Sequence, residues 1–406
     1  MKKVLIVGAG ISGMSISYYL RNKFKITILE KNDYLGGHAH THKIIEDNKT
    51  QYFDSGFIVF NNINYPNFLK LLSDNNVKYE KSNMSFSVFN KNLNYEWSGK
   101  NIKTLLDLRN LFTIRYWKIL YGIFKFSYII YRKNKINQQI KISEFLSKNN
   151  FNNEFINLYF YPMCSSIWSS NINDIKNYQT QFILDFFENH GLANILKKRP
   201  QWMTISNGSA NYVKNISKSV GVDNYITNSE VIFVDQKNKK VRCQNNIEYS
   251  YDLLILCNHT NQINKILQNK TENQKILLDM VNYTKNKIIV HYDDKVMPKK
   301  KANWCSWNFC YDEDKLVLTY WMNLLQNLKI KKNIFVTLNT ENIDKNKIIK
   351  TIYYDHPVFK YNKDYVQKQN DITSGENSVF FAGAWLGNGF HEDGVNSAIN
   401  VFRKIS

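Results

Sequence analysis

The sequence is poor in the residues that would make it a collagen, a disordered linker or a disulfide scaffold. Its 406 residues include five prolines and five cysteines, with no internal repeat or low-complexity stretch. Cys164, Cys243, Cys257, Cys305 and Cys310 are odd in number and scattered, which fits free thiols in a reducing compartment rather than a disulfide framework. A cytoplasmic protein is therefore expected. Acidic residues are also scarce, 34 against 54 Lys plus Arg, leaving a net charge of +20. That balance admits two readings: attraction to an anionic surface, or a compositional bias toward Lys, Asn and Ile. The N-terminal apolar run stops at Gly8, far short of a signal-peptide core. What is abundant is apolar and aromatic side chain, 43% and 15% of residues, enough for one large core or two ordinary ones.

Val4-Leu5-Ile6-Val7 is a continuous apolar run of the kind a parallel strand carries when both its faces are covered. Gly8-Ala9-Gly10-Ile11-Ser12-Gly13 follows at once, then a helical pattern, then a second strand over residues 25–29 ending at Glu30. In that context the three glycines predict a dinucleotide cradle. Gly8 permits the turn, Gly10 lets backbone N–H groups approach a pyrophosphate at the helix N-terminus, and Gly13 allows close helix–strand packing. Glu30 is placed to accept from a ribose hydroxyl. Near the other end, Val379-Phe380-Phe381-Ala382-Gly383 reads as a strand entering a second glycine-rich turn. Gly387, Gly389 and Gly394 precede the final helical pattern, again a helix N-terminus suited to an electron-rich ligand.

Gly36-Gly37-His38 follows Glu30 at the spacing found in the flavin-containing amine oxidase and phytoene desaturase superfamily. Tyr34 and His38 stand where that superfamily has Arg. Further blocks sharpen the resemblance: Gly36-Gly37-His38-Ala39-His40-Thr41-His42, Asp54-Ser55-Gly56-Phe57, Tyr161-Pro162-Met163, Trp304-Cys305-Ser306-Trp307-Asn308, Thr319-Tyr320-Trp321, His356-Pro357-Val358-Phe359 and residues 381–398. Together they resemble a bacterial branch of FAD-dependent oxidoreductases often found beside cyclopropane-fatty-acyl-phospholipid synthases. The resemblance implies an α/β fold: a discontinuous Rossmann-like FAD-binding domain (residues 1–60, 203–270 and 372–406) with an inserted α+β substrate domain (61–202 and 271–371). It implies FAD held by Gly8, Gly10, Ile11, Ser12, Gly13, Glu30, Gly36, Gly37, His38, Asp54, Gly56, Val231, Gly383, Glu392, Asp393, Gly394 and Val395. The flavin edge falls at residues 392–395. Ala384 replaces an acidic residue frequent in the superfamily. Asn207-Gly208-Ser209 fits either a flavin contact or a plain helix cap.

In such enzymes the cofactor carries the redox step, while the protein positions, desolvates and sometimes takes a proton. His391 is the candidate for moving that proton, or else shapes the glycine turn. His38, His40 and His42 alternate along a strand, but without an acidic or Cys partner no metal site is expected. Trp304, Trp307, Tyr320 and Trp321 either line a substrate pocket or form core. Residues 108–143 contain no acid and eight basic residues, and Lys118, Lys125 and Arg132 recur at sevens among aromatics. Uncharged runs there are too short to span a bilayer. Residues 108–135 therefore read as an interfacial helix touching anionic membrane from the cytoplasmic side, or as an internal helix with snorkelling basic stems. No nucleic-acid motif appears. The expected substrate is a small molecule or acyl lipid. Dehydrogenation of a lipid-borne acyl chain leads, amine oxidation is second, and lipid transfer without turnover is third.

Overall fold

A computed structural model of the chain describes residues 1–100, 108–132, 140–168, 172–189, 192, 200–312, 315–361 and 363–406. The expected α/β fold is present. Strand β1 (Lys3–Val7), helix α1 (Ile11–Leu20) and strand β2 (Lys25–Leu29) form the opening unit. Around β1 and β2 lies a five-stranded sheet in the order Tyr225–Ile226, β2, β1, Leu253–Leu256, Val379–Phe381, with every pair parallel. Its strands come from three separate stretches of chain.

The apolar runs follow from burial on both faces. Val4 and Ile6 pack on one side with α1 and the helices Ala210–Val220 and His391–Ile405. Leu5 and Val7 pack on the other with the Val231–Ser250 hairpins and helix Thr260–Ile266. Successive strand residues point to opposite faces, so neither set can be polar.

A second, seven-stranded sheet runs in the order Ile348–Phe359, Val281–His291, Phe335–Leu338, Lys315–Trp321, Trp307–Asp312, Phe86–Asn90, Tyr95–Ser98. All its pairs are antiparallel except Trp307–Asp312 with Phe86–Asn90. Helices cover one part of it. The longest is α2 (Ile114–Tyr131), whose first turn is capped by Thr113 Oγ1 accepting from Tyr116 N. Phe126 and Ile130 of α2 join Phe145, Phe155, Phe160 and Phe187 in an aromatic core.

The glycine turn is set by close approach. A Cβ at Gly13 would lie 1.9 Å from the Gly8 carbonyl oxygen, so α1 can start against β1 only with hydrogen there. Gly13→Ala should destabilise the cofactor-free protein by about 1–3 kcal/mol, as overpacking does. Chemical denaturation monitored by circular dichroism checks this.

Candidate active site

The C-terminal ends of the parallel strands open into a cavity of about 1440 Å³ that continues into the second sheet. At its glycine end, Ala9 N and Asn32 N donate to the two Glu30 carboxylate oxygens at 2.8 and 3.0 Å. Glu30 thus braces the turn, and each oxygen keeps acceptor capacity for a ligand. Gly36 N donates to Ala9 O, bringing the second crossing alongside. Gly37, at φ +60°, comes so close that a Cβ would sit 3.2 Å from Gly10 Cα. Gly10 itself differs: a Cβ there would meet nothing within 4 Å. That open space lies at the start of α1, whose first N–H groups have no partner within the helix.

Gly8, Gly10, Ile11, Ser12, Glu30, Gly36, Gly37, His38, Gly56, Val231, Gly383 and His391 all line the cavity, so turns from both ends of the chain meet there. Four buried polar atoms on this wall lack a partner: His38 Nε2, Asn258 Oδ1, His259 Nδ1 and Trp385 Nε1. An unmade buried hydrogen bond costs about 1–3 kcal/mol. A ligand rich in donors and acceptors fits this wall, and a dinucleotide is such a ligand.

Other expected cofactor residues lie behind the wall. Gly13 serves packing. The Asp54 carboxylate accepts from Ser209 N, Ser209 Oγ, Thr41 Oγ1 and Gln326 Nε2, which leaves it a structural tie and makes Ser209 its partner. Glu392 accepts from Asn67 N and Phe68 N at 3.1 and 2.8 Å, capping helix Pro66–Asp74. Asp393 accepts from Asn388 N and Phe390 N, holding the turn. Gly394 packs on Ile11, and Val395 is core. The first turn of the C-terminal helix thus points its carboxylates away from the cavity, and Gly389, Phe390 and His391 face it instead.

His391 lines the cavity with one ring nitrogen tied back into the fold. Its ring stacks on Phe57 with centroids 3.4 Å apart, and its Nε2 meets Tyr212 Oη at 3.0 Å. Burial holds it well below the ordinary imidazole range. This geometry supports a shaping role for His391 through Tyr212 and Phe57. A group of rings surrounds His38: Tyr354, His356 and His259 lie 4.8, 5.6 and 5.8 Å away; of these, Tyr354 and His259 carried no signal in the motifs. Burial pushes His259 and His356 down to about 3, so these rings are uncharged at neutral pH. From Tyr354 Oη a hydrogen-bonded path runs to Ser55 Oγ at 2.8 Å and on to His42 Nε2 at 2.7 Å. Tyr354 lines the main cavity, and His42 lines a smaller one of about 360 Å³. Burial pushes His42 down to about 3 and the Tyr354 phenol up, so the path fixes the orientation of uncharged groups.

Of the four expected pocket aromatics, Trp307 and Tyr320 line the cavity. Trp304 and Trp321 do not. They meet at 5.5 Å in a separate core with Phe335, Trp321 being a partly buried member. Strand alternation sends Tyr320 and its neighbour Trp321 to opposite faces. Phe86, Trp97, Leu120, Ile123, Phe124 and Tyr159 complete the chamber around Trp307. The position of His259 was accessible to sequence reasoning, because ligands of parallel α/β sheets bind beyond strand C-termini and His259 follows strand Leu253–Leu256 closely.

The profile of the NAD(P)-binding Rossmann-like domain family matches residues 6–74. No curated protein matches the sequence. Among solved structures, the chain is similar to the CLA-producing fatty acid isomerase from P. acnes (TM-score 0.67, 13% identity, 100% of this chain and 99% of that one). It is similar to cyclohexylamine oxidase from Brevibacterium oxydans (0.68, 11%, 100% and 99%) and to reduced UDP-galactopyranose mutase (0.68, 12%, 100% and 96%). The chain thus shares its fold, over its whole length, with these solved structures.

Gly10→Val should fill the open space without disturbing the fold, leaving the melting curve of cofactor-free protein unchanged while weakening FAD binding at least tenfold in a tryptophan-quenching titration. Burial pushes the Asp393 carboxyl up to about 6. A raised folded-state value means that its stabilising contribution is full below about pH 4, the unfolded range, and is lost as pH rises through about 6. The melting-temperature difference between Asp393→Asn and the parent should therefore move in favour of the variant between those pH values. A difference independent of pH would contradict the burial argument.

Proposed function

We propose that the chain is an FAD-dependent oxidoreductase that removes hydride from a carbon of a lipid-borne acyl chain. The cavity, at about 1440 Å³, exceeds the roughly 300–1,000 Å³ of a site for one small ligand, so it has room for a dinucleotide and a second molecule. The observation that carries the substrate class is the makeup of the chamber. Among the described residues lining the cavity, the carboxylates are Glu30, Glu230 and Asp355. Glu30 and Glu230 belong to the glycine end, and Asp355 sits opposite Lys285 in the paired strands. The chamber around Trp307 and Phe86 offers an ammonium no counter-charge. An acyl chain requires only apolar surface, whereas an ammonium would find aromatic faces there but no carboxylate, so the acyl reading is the better supported.

Bound FAD supplies the hydride acceptor. The residues that would hold it are the Gly8–Gly10 turn with Ile11 and Ser12 toward the diphosphate, Glu30 toward a ribose, and Gly37, His38, Gly56 and Phe390 along the wall between. The chain's own contribution is to bury the reacting carbon among Phe86, Trp97, Trp307 and Tyr320, and to keep water out. Tyr354 Oη, held by Ser55 Oγ and His40 Nδ1, is an uncharged hydroxyl on the cavity wall that can orient a bound ligand by hydrogen bonding.

The preparation should be yellow, and anaerobic addition of an acyl phospholipid or a long-chain fatty acid should bleach it, while primary and secondary amines leave it coloured. Bleaching by amines alone would overturn the acyl reading. Trp307→Ala should raise KM for the acyl substrate at least tenfold, and Trp321→Ala should lower stability with little change in KM, measured by steady-state kinetics and melting.

A further inference from the structure

Helix α2 does not bury all its apolar residues. Tyr116, Ile119, Phe126 and Ile130 face the core, but Ile114, Trp117, Tyr121, Phe124, Tyr128 and Tyr131 are exposed, Trp117 to 56%, Tyr121 to 63% and Tyr131 to 84%. Their spacing of three and four residues puts the six on one stripe. At 1.5 Å per residue the stripe runs about 27 Å. Isolated exposed apolar residues are ordinary, whereas a continuous stripe of this length marks a contact surface.

The two edges of the stripe differ. One carries Lys118, Lys125 and Arg132. Lys118 is paired with Glu154 at 2.8 Å, so its charge is compensated. Among the described residues, Lys125 and Arg132 face no carboxylate. The Arg132 guanidinium lies 4.8 Å from the centroid of the stripe's Tyr128 ring; Lys125 Nζ donates to Asn150 O at 3.2 Å and lies 5.1 Å from the Phe151 ring and 5.9 Å from that of Tyr121, so it sits at the border of the stripe with its charge balanced by no carboxylate. The other edge, Leu120, Ile123 and Phe124, lines the main cavity. One helix therefore presents an aromatic stripe to solvent, cations along one border and the cavity wall along the other.

We propose that this stripe docks on an anionic phospholipid bilayer, with α2 lying in the interface and its cavity edge turned toward the acyl chains. Trp and Tyr are amphipathic enough to sit at headgroup depth, and cations at the border meet anionic headgroups there. The net charge of +20 attracts the whole molecule to the same surface. No helix among the described residues is long and apolar enough to cross a membrane, so the contact lies on the bilayer. A second copy is the poorer occupant: α2 has no acidic residue, so stripe on stripe would set cations against cations. Delivery of an acyl chain into the cavity rests on the acyl reading above; the docking does not.

Flotation of the full-length holoprotein with vesicles tests it apart from turnover. Binding is expected to vesicles of phosphatidylcholine mixed with phosphatidylglycerol, to be weaker on phosphatidylcholine alone, and to weaken with salt. The triple variant Trp117→Ser, Tyr128→Ser, Tyr131→Ser and the double variant Lys125→Glu, Arg132→Glu should each lose at least tenfold in binding. Their circular dichroism melts should match the parent. Brominated acyl chains should quench Trp117, and Trp117→Phe should lose that quenching while still floating. Retained flotation by both multiple variants, or a dimer in sedimentation velocity that the triple variant abolishes, would overturn the proposal.

Discussion

The whole arrangement depends on backbone approaching backbone at the C-terminal ends of the parallel strands. Gly13 brings α1 against the Gly8 carbonyl, Gly37 brings a second crossing onto Gly10, and Gly394 seats the C-terminal helix on Ile11. A Cβ would lie 1.9 Å from backbone at Gly13, 2.6 Å from the Ile11 side chain at Gly394 and 3.2 Å from backbone at Gly37, so each would force its neighbour to give way, most of all at Gly13. With them together, two helix N-termini face one space, and the helix dipoles and unpartnered N–H groups give that space its preference for an electron-rich ligand. Gly10 is the exception that shows the purpose of the rest, because its missing side chain leaves room where its neighbours leave contact.

A second consequence is continuity. The cradle opens directly onto the face of the seven-stranded sheet, and the long pair Val281–His291 and Ile348–Phe359 carries Tyr283, Tyr354 and His356 to the junction. Beyond it the wall turns aromatic and aliphatic. A polar glycine-lined end and a more apolar end thus share one cavity, with uncharged imidazoles between them. The desolvation that holds His259 and His356 uncharged also strengthens any hydrogen bond made there.

The first thirty residues were fully legible, because strand, glycine turn, helix and terminal Glu30 are local features with local causes. The second glycine turn was legible as a turn, but not the partners of its two carboxylates. Glu392 and Asp393 look like ligands by position, yet orphan N–H groups of helix Pro66–Asp74 and of the turn itself claim both carboxylates. Asp54 was lost in the same way, to Ser209 and Gln326, residues far away in sequence. The aromatic set divides between the two alternatives, cavity and core, for a different reason. Trp304 and Trp321 share a motif with Trp307 and Tyr320, but strand alternation and the sheet's two faces separate them, and no motif records which face holds the cavity. The ring of His38, His259, His356 and Tyr354 comes from three segments that only the tertiary fold brings together.

The central claim is that one cavity holds a dinucleotide and an apolar chain end to end. A crystal structure of the protein with FAD and a long-chain fatty acid bound tests it most directly. The account predicts the diphosphate at Gly10, the flavin ring between Gly56 and Phe390, and the acyl chain continuing past Tyr354 to Trp307 and Phe86. A dinucleotide seated elsewhere, or an acyl chain bound only outside the cavity, would contradict it.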